Sequence, residues 1–301
     1  MVEHFGDALI GRVRELGHPL CVGLDPYLDR IPEIFRAGDM AANDPATADA
    51  VEAFCRAVID RLAGKVAVVK PQSAFFELMG WRGMRALENV IRHASEAGLL
   101  VIMDAKRGDI GSTAEGYAAT YLDPGAPFEA DSLTCSPYLG RDTLDPYMAR
   151  VRDHGRGIFV LVKTSNPGSG DFQDLKVGNM RLSQKVAAAL SEVAESVRGP
   201  KTGWSSLGGV IGATYPGEAE RLRELMPNMV LLIPGYGTQG AGPSEALASF
   251  VAGPKGREGG VVSSSRAVLF PEGAETADAA GWDQAFDAGL ERAIEGLRQA
   301  L

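Results

Sequence analysis

Short apolar, β-branched runs recur along the chain, and most are followed by a stretch whose apolar residues return every three or four positions. The runs predict strands at 19–24 (PLCVGL), 66–70 (VAVVK), 99–104 (LLVIMD), 132–136 (SLTCS), 158–163 (IFVLVK), 209–213 (GVIGA), 229–233 (MVLLI) and 260–264 (GVVSS). The intervening patterns predict amphipathic helices over 47–62, 84–97, 182–197, 218–225 and 282–297, each laying one apolar face on a sheet.

Strands alternating with helices imply parallel pairing. Eight such units predict an α/β fold, a (β/α)8 TIM barrel, as one domain over 1–301. An open doubly wound sheet is the competing arrangement, and the strand at 132–136 is the weakest of the eight. Two features favour the barrel. The spacing continues to the C-terminus, and polar residues gather just after many strands, where barrels build their sites. Long loops are expected after the first strand, 25 to about 45, and after the fifth, 164 to about 177. The segment AGPKGREGG, residues 252–260, reads as an exposed connector.

The 301 residues suit a single barrel. A formal charge of −9 without any basic run argues against a nucleic-acid partner. Cys21, Cys55 and Cys135 have no metal-type spacing, and their odd number suggests no disulfide framework. They read as small buried hydrophobes of a reducing cytoplasm. The N-terminal stretch MVEHFGDALIGRVREL lacks the apolar core of a signal peptide. No run approaches the length of a membrane span. The expectation is a cytoplasmic protein with no membrane partner.

The third strand ends in VIMDAKRGDIGSTA, residues 101–114, which fills with charge where a core strand should stop. Alternate strand residues share a face, so Asp104 and Lys106 point the same way, into the barrel mouth. Asp109 follows where the chain turns through Gly108 into a helix. Lys70 ends the neighbouring strand, just before Pro71. Two carboxylates keep two lysines protonated, giving a fixed cationic acid that donates a proton and stabilises negative charge. A carboxylate facing a bound anion makes sense if the anion's own negative group must leave. A structural ion network is the alternative. Magnesium held by the two carboxylates is a third, which a lysine between them opposes.

Other strand ends carry candidate chemistry. Asp25 precedes Pro26, either to accept hydrogen bonds from sugar hydroxyls or to start a turn. Lys163 and Ser165 lie in KTSNPG, which could cap a base or form a simple turn. Lys163 in Val-Lys-Thr-Ser also resembles the Schiff-base lysine of class I aldolases. Pro234 opens PGYGTQG, containing Gln239, and Ser265 and Arg266 end the eighth strand. Loops after strands seven and eight often bind phosphate in barrels, and glycine-rich backbone with an arginine suits an anion.

The segment DAKRGDIGSTA resembles the signature of orotidine 5′-phosphate decarboxylases, in particular the longer bacterial type 2 branch. TCSPYLG, residues 134–140, is also similar to that branch and reads as packing or as closure of the mouth. The resemblance, running from Asp25 to Arg266, implies a Lys–Asp–Lys–Asp array at Lys70, Asp104, Lys106 and Asp109. It implies a homodimer in which Asp109, Ile110 and Thr113 reach the neighbouring site. Asp25 then binds ribose, Ser165 and Pro234 border the pyrimidine, and Gln239, Arg266 and the Ser265 backbone hold phosphate. The residue before the arginine is glycine in the shorter branch, so Ser265 departs from it. The implied activity is decarboxylation of orotidine 5′-phosphate to uridine 5′-phosphate, with no cofactor and no metal, and Lys106 as proton donor to C6. Three alternatives stay open: a magnesium-dependent phosphosugar decarboxylase or synthase, a class I aldolase acting through Lys163, and a nucleotide-binding barrel without catalysis.

Overall fold

The computed structural model describes residues 3–237 and 242–301. Eight parallel strands close into a barrel: β1 (Leu20–Leu24), β2 (Val68–Pro71), β3 (Leu100–Arg107), β4 (Ser132–Cys135), β5 (Gly157–Lys163), β6 (Ser205–Ile211), β7 (Met229–Pro234) and β8 (Gly260–Ser264). Each pairs with its neighbours in sequence, and β8 closes on β1 with Leu20 opposite Val262. Closure leaves no sheet edge, which decides against the open doubly wound sheet.

Around the barrel run α1 (Phe5–Leu16), α2 (Pro45–Leu62), α3 (Gly80–Glu96), α4 (Gly111–Leu122), α5 (Asp145–His154), α6 (Leu182–Ala194), α7 (Pro216–Leu225) and α8 (Ala279–Arg298). Most of the buried apolar residues form a shell between strands and helices. A second cluster fills the barrel from below. There Phe5, Leu9, Ile10 and Val13 of α1 meet Leu100, Phe159 and Val261. α1 is a helix that strand–helix alternation does not predict, because it precedes the first strand. The buried Asp7 carboxylate accepts the backbone N–H groups of Lys201 and Thr202, at 3.1 and 2.7 Å, and ties α1 to the start of β6. The three cysteines are free and buried, and burial pushes the Cys21 thiol up to about 12.

Three boundaries differ from the sequence expectation. β6 starts at Ser205, because Ser205, Ser206 and two glycines are as buried as the apolar run that follows them. β3 continues to Arg107 through an irregular register. Residues 252–260 are no simple exposed connector, since Val251–Gly253 and Gly256–Glu258 pair as a hairpin. Its Glu258 is buried, accepts two hydrogen bonds from Arg14 at 2.7 Å each, and accepts one from Trp204 Nε1 at 2.9 Å. The loop after β1 contains two short helical turns, and Phe35 packs edge-on against Phe54 and Trp282, pinning the loop over α2 and α8.

Gly208 shows how tightly the barrel interior is filled. An added Cβ there would stand 2.5 Å from the Val230 carbonyl oxygen and 2.6 Å from the Phe159 ring. One of these neighbours is backbone and cannot swing aside. We expect Gly208→Ala to cost about 1–3 kcal/mol, seen as a lower urea midpoint at unchanged slope. A wild-type midpoint would show that β6 and β7 separate freely there.

Candidate active site

The mouth of the barrel is built by strand ends. Lys70 and Gln72 flank Pro71 at the end of β2, and alternation puts both on one face. On β3, Asp104 is regular, but the pairing with β4 shifts register between Met103 and Arg107. Lys106 takes up the shift in a left-handed conformation, φ +47°. A side chain other than glycine adopts this region at a cost of order 1–3 kcal/mol. The Lys106 N–H donates to Thr134 Oγ1 at 2.9 Å, and Arg107, donating to Glu77 and to the Tyr121 hydroxyl, anchors the next residue. Lys106 thus reaches the predicted face by a bulge rather than by simple alternation.

Asp104 is the centre of the cluster. Oδ2 accepts from Lys70 Nζ at 2.8 Å and from Gln72 Nε2 at 3.0 Å. Oδ1 accepts from Lys106 Nζ at 2.7 Å and from the Thr134 hydroxyl at 2.9 Å. A carboxylate has about four acceptor positions, so Asp104 is saturated. Burial alone would raise its pKa, but Lys70 and Lys106 outweigh burial and hold the carboxyl well below the ordinary range. Burial likewise opposes the charge on Lys70, yet Asp104 and then Asp25 hold its pKa above the ordinary value. Both residues are buried, whereas the Lys106 side chain is 46% exposed. The arrangement is therefore two ammoniums fixed by one carboxylate that favours its ionised form, with one ammonium open to a ligand. Because lysines occupy both oxygens, Asp104 offers no face to a divalent cation. Among the described residues, no group of three or more His, Cys, Asp or Glu is placed to hold a metal.

A cavity of about 450 Å³ opens over this cluster. Asp25, Lys70, Asp104 and Lys106 form one wall, and Leu161, Val210 and Leu232 form an apolar floor. Ser165 enters from the loop after β5, Pro234 from β7, and Ser265 and Arg266 from the end of β8. Asp25 and Ser265 line the cavity, and Asp25 Oδ1 and Ser265 Oγ are buried with no hydrogen-bond partner among the described residues. The structure thus brings together eight of the singled-out positions: Lys70, Asp104, Lys106, Asp25, Ser165, Pro234, Ser265 and Arg266. Gln239 lies outside the described residues.

Matches to known proteins bear on what this cavity serves. The model of the orotidine 5′-phosphate decarboxylase / HUMPS family matches residues 18–270. The chain belongs to this family. It is 42% identical to an orotidine 5′-phosphate decarboxylase of Rhodopirellula baltica, over 98% of this chain and 99% of that one. With the Clostridium tetani enzyme it shares 40% identity over 87% of each. A crystal structure of a putative orotidine 5′-phosphate decarboxylase from Streptomyces avermitilis superposes with a TM-score of 0.81 at 35% identity, covering 99% of this chain and 96% of that one.

The fourth charged position of the expected array stands apart. Asp109 Oδ1 accepts from the backbone N–H of Ile110 at 2.8 Å and does not line the cavity. Ile110 is 62% exposed, and Thr113 is exposed on the first turn of α4. Lys163 is not a free amine either. It is 1% exposed, donates to both oxygens of Asp174 at 2.9 and 2.8 Å, and lies 3.6 Å from Glu218. It does not line the cavity, which removes the aldolase alternative. Sequence reasoning missed Gln72 and left Thr134 as packing or closure. The signal for Gln72 was its two-residue spacing from Lys70. For Thr134 it was a lone hydroxyl inside a buried run.

Removing the central charge should have a defined pH signature. Asp104 has a depressed pKa, so its contribution is complete above its ordinary value of 3.8 and fades as pH falls below that toward the folded value. Asp104→Asn leaves two facing ammoniums and should cost about 3–5 kcal/mol at pH 7. The stability gap from wild type should narrow below about pH 4. A gap that stays constant in urea titrations from pH 7 down to pH 3 would contradict the depressed pKa.

Proposed function

We propose that this protein decarboxylates orotidine 5′-phosphate to uridine 5′-phosphate and carbon dioxide, the last step of UMP synthesis, with Lys106 as the proton donor. The observation that carries this reading is the saturated Asp104 carboxylate held against Lys106 at the wall of the cavity. A bound pyrimidine with C6 near Lys106 sets its carboxylate near Asp104. Like charges disfavour that ground state. When the C6–carboxylate bond breaks, carbon dioxide leaves neutral and the electron pair remains on C6. The Lys106 ammonium stabilises that pair and then transfers a proton to it. Lys106 is left as a neutral amine, which regains its proton from water.

The remaining residues take binding roles. Asp25, with an oxygen that has no hydrogen-bond partner among the described residues, accepts from ribose hydroxyls, and Lys70 fixes the array beside it. Ser165 and Pro234 border the base. Arg266, the Ser265 backbone and Gln239 hold the phosphate, whose binding energy serves the chemistry at the far end of the substrate. Asp109, Ile110 and Thr113 serve the neighbouring subunit of a homodimer. Ile110 and Thr113 are exposed and none of the three lines its own cavity, which supports this. Three buried thiols agree with a cytoplasmic setting.

The deciding assay follows the ultraviolet absorbance of orotidine 5′-phosphate with a chelator present. We expect conversion to uridine 5′-phosphate at full rate. A requirement for magnesium would favour the phosphosugar chemistry, and tight uridine 5′-phosphate binding without turnover would favour a binding module. Lys106→Ala should lower kcat by at least about 10²–10³-fold, the range for losing one transition-state charge partner. Near-normal turnover would refute the role of Lys106. Asp109→Ala and Lys106→Ala proteins should each be nearly inactive yet recover activity when their subunits are exchanged. No recovery after demonstrated exchange would remove the shared site.

A further inference from the structure

Thr134 lies between the two reacting groups without belonging to the charge array. Its hydroxyl uses both of its hydrogen-bonding roles at once. It accepts the Lys106 backbone N–H at 2.9 Å and donates to Asp104 Oδ1 at 2.9 Å. The first bond satisfies the N–H of a residue held at φ +47°, within a stretch where the β3–β4 register is broken. The second occupies the same carboxylate oxygen that accepts Lys106 Nζ at 2.7 Å. One oxygen atom therefore ties the backbone of Lys106 to the carboxylate that receives its side chain. Thr134 is almost fully buried, so water cannot readily replace it. Its own position is firm, because Thr134 pairs with Phe159 in the ladder between β4 and β5.

Building on the decarboxylase reading, we infer that Thr134 is a positioning residue that sets the angle at which Lys106 approaches the reacting carbon. The hydroxyl does not transfer a proton to substrate. It holds the left-handed bend at Lys106 and fixes which edge of Asp104 faces that ammonium. Misplacing a reacting group by about 1 Å can cost about 100-fold in rate. The effect belongs in kcat, because phosphate and ribose are held by other strand ends.

Thr134→Val keeps the shape of the side chain and removes both bonds. Thr134→Ser keeps both bonds and loses one methyl group. We expect the valine variant to lose about 100-fold in kcat, with affinity for uridine 5′-phosphate essentially unchanged, and the serine variant to recover most of the rate. Thr134→Ala, run in parallel, carries the same expectation, so a valine variant that fails to fold leaves the decision with alanine. Near-normal kcat in folded valine or alanine protein would overturn the inference. So would equal losses in serine and valine proteins, which would show that keeping both hydrogen bonds does not keep the rate. A loss of nucleotide affinity matching the loss of kcat would overturn it as well, by showing collapse of the cavity. Wild-type turnover is measured alongside: its absence would refute the decarboxylase reading itself, whereas its presence with an unaffected valine variant would refute only the role of Thr134.

Discussion

One buried carboxylate bound by four donors organises the mouth of this barrel. Asp104 can remain ionised away from water only because Lys70, Gln72, Lys106 and Thr134 meet it together. Those donors come from the ends of three neighbouring strands, β2, β3 and β4. The closed sheet fixes the spacing of the strands, so it also fixes the cluster. The charges then set the direction of the chemistry. Lys70 and Lys106 are balanced by Asp104 and Asp25 on the same wall, so the cluster is locally neutral and its charges act by position. Within that site Asp104 marks where negative charge is unwelcome, and the exposed Lys106 marks where it is welcome. Under the proposed reaction, charge moves from the first position to the second as the carboxylate departs.

Such a cluster is costly to assemble. Desolvating an ion pair commonly offsets its mutual attraction, and the bend at Lys106 adds strain. The lower half of the barrel supplies the compensating stability. α1 inserts Phe5, Leu9 and Ile10 beneath the strands, and apolar packing continues upward to Val210 and Leu232, which also floor the cavity. The same barrel is thus dry and apolar at one end and charged at the other. A preorganised charge array needs that division, since donors that could relax toward water would lose their fixed orientation.

The strand pattern made most of this legible. Parallel strands buried on both faces read as apolar runs, so eight runs announced eight strands, and the residues ending them announced the site. Lys70, Asp104 and Lys106 were visible because charge is conspicuous at the end of an apolar strand. Thr134 and Gln72 were harder to see. A hydroxyl or amide gains meaning only from the partner it faces, and those partners are 30 and 32 residues away in sequence. The start of β6 escaped because Ser205 and Ser206 look like loop residues, although the barrel buries them. The hairpin before β8 escaped for the opposite reason. Its glycines and lysine suggested exposure, while Glu258 depends on Arg14 and Trp204, residues that periodicity cannot connect to it.

Lys70 and Lys163 make a useful contrast. Each is a buried lysine at the end of a barrel strand, and each is bonded to an aspartate. Burial and pairing alone would nominate both as functional. What separates them is how each pair is closed. Lys163 bonds both oxygens of Asp174, with Glu218 nearby and the Tyr215 ring 4.9 Å from its nitrogen. Arg181 bridges the same two carboxylates, so the cluster neutralises itself and staples the loop after β5 to α7. The Lys70–Asp104 pair is instead extended by a second lysine that stays half open to the cavity. A closed ion cluster can hold a loop in place. An open one, with an exposed ammonium facing a cavity, can also act on what binds there.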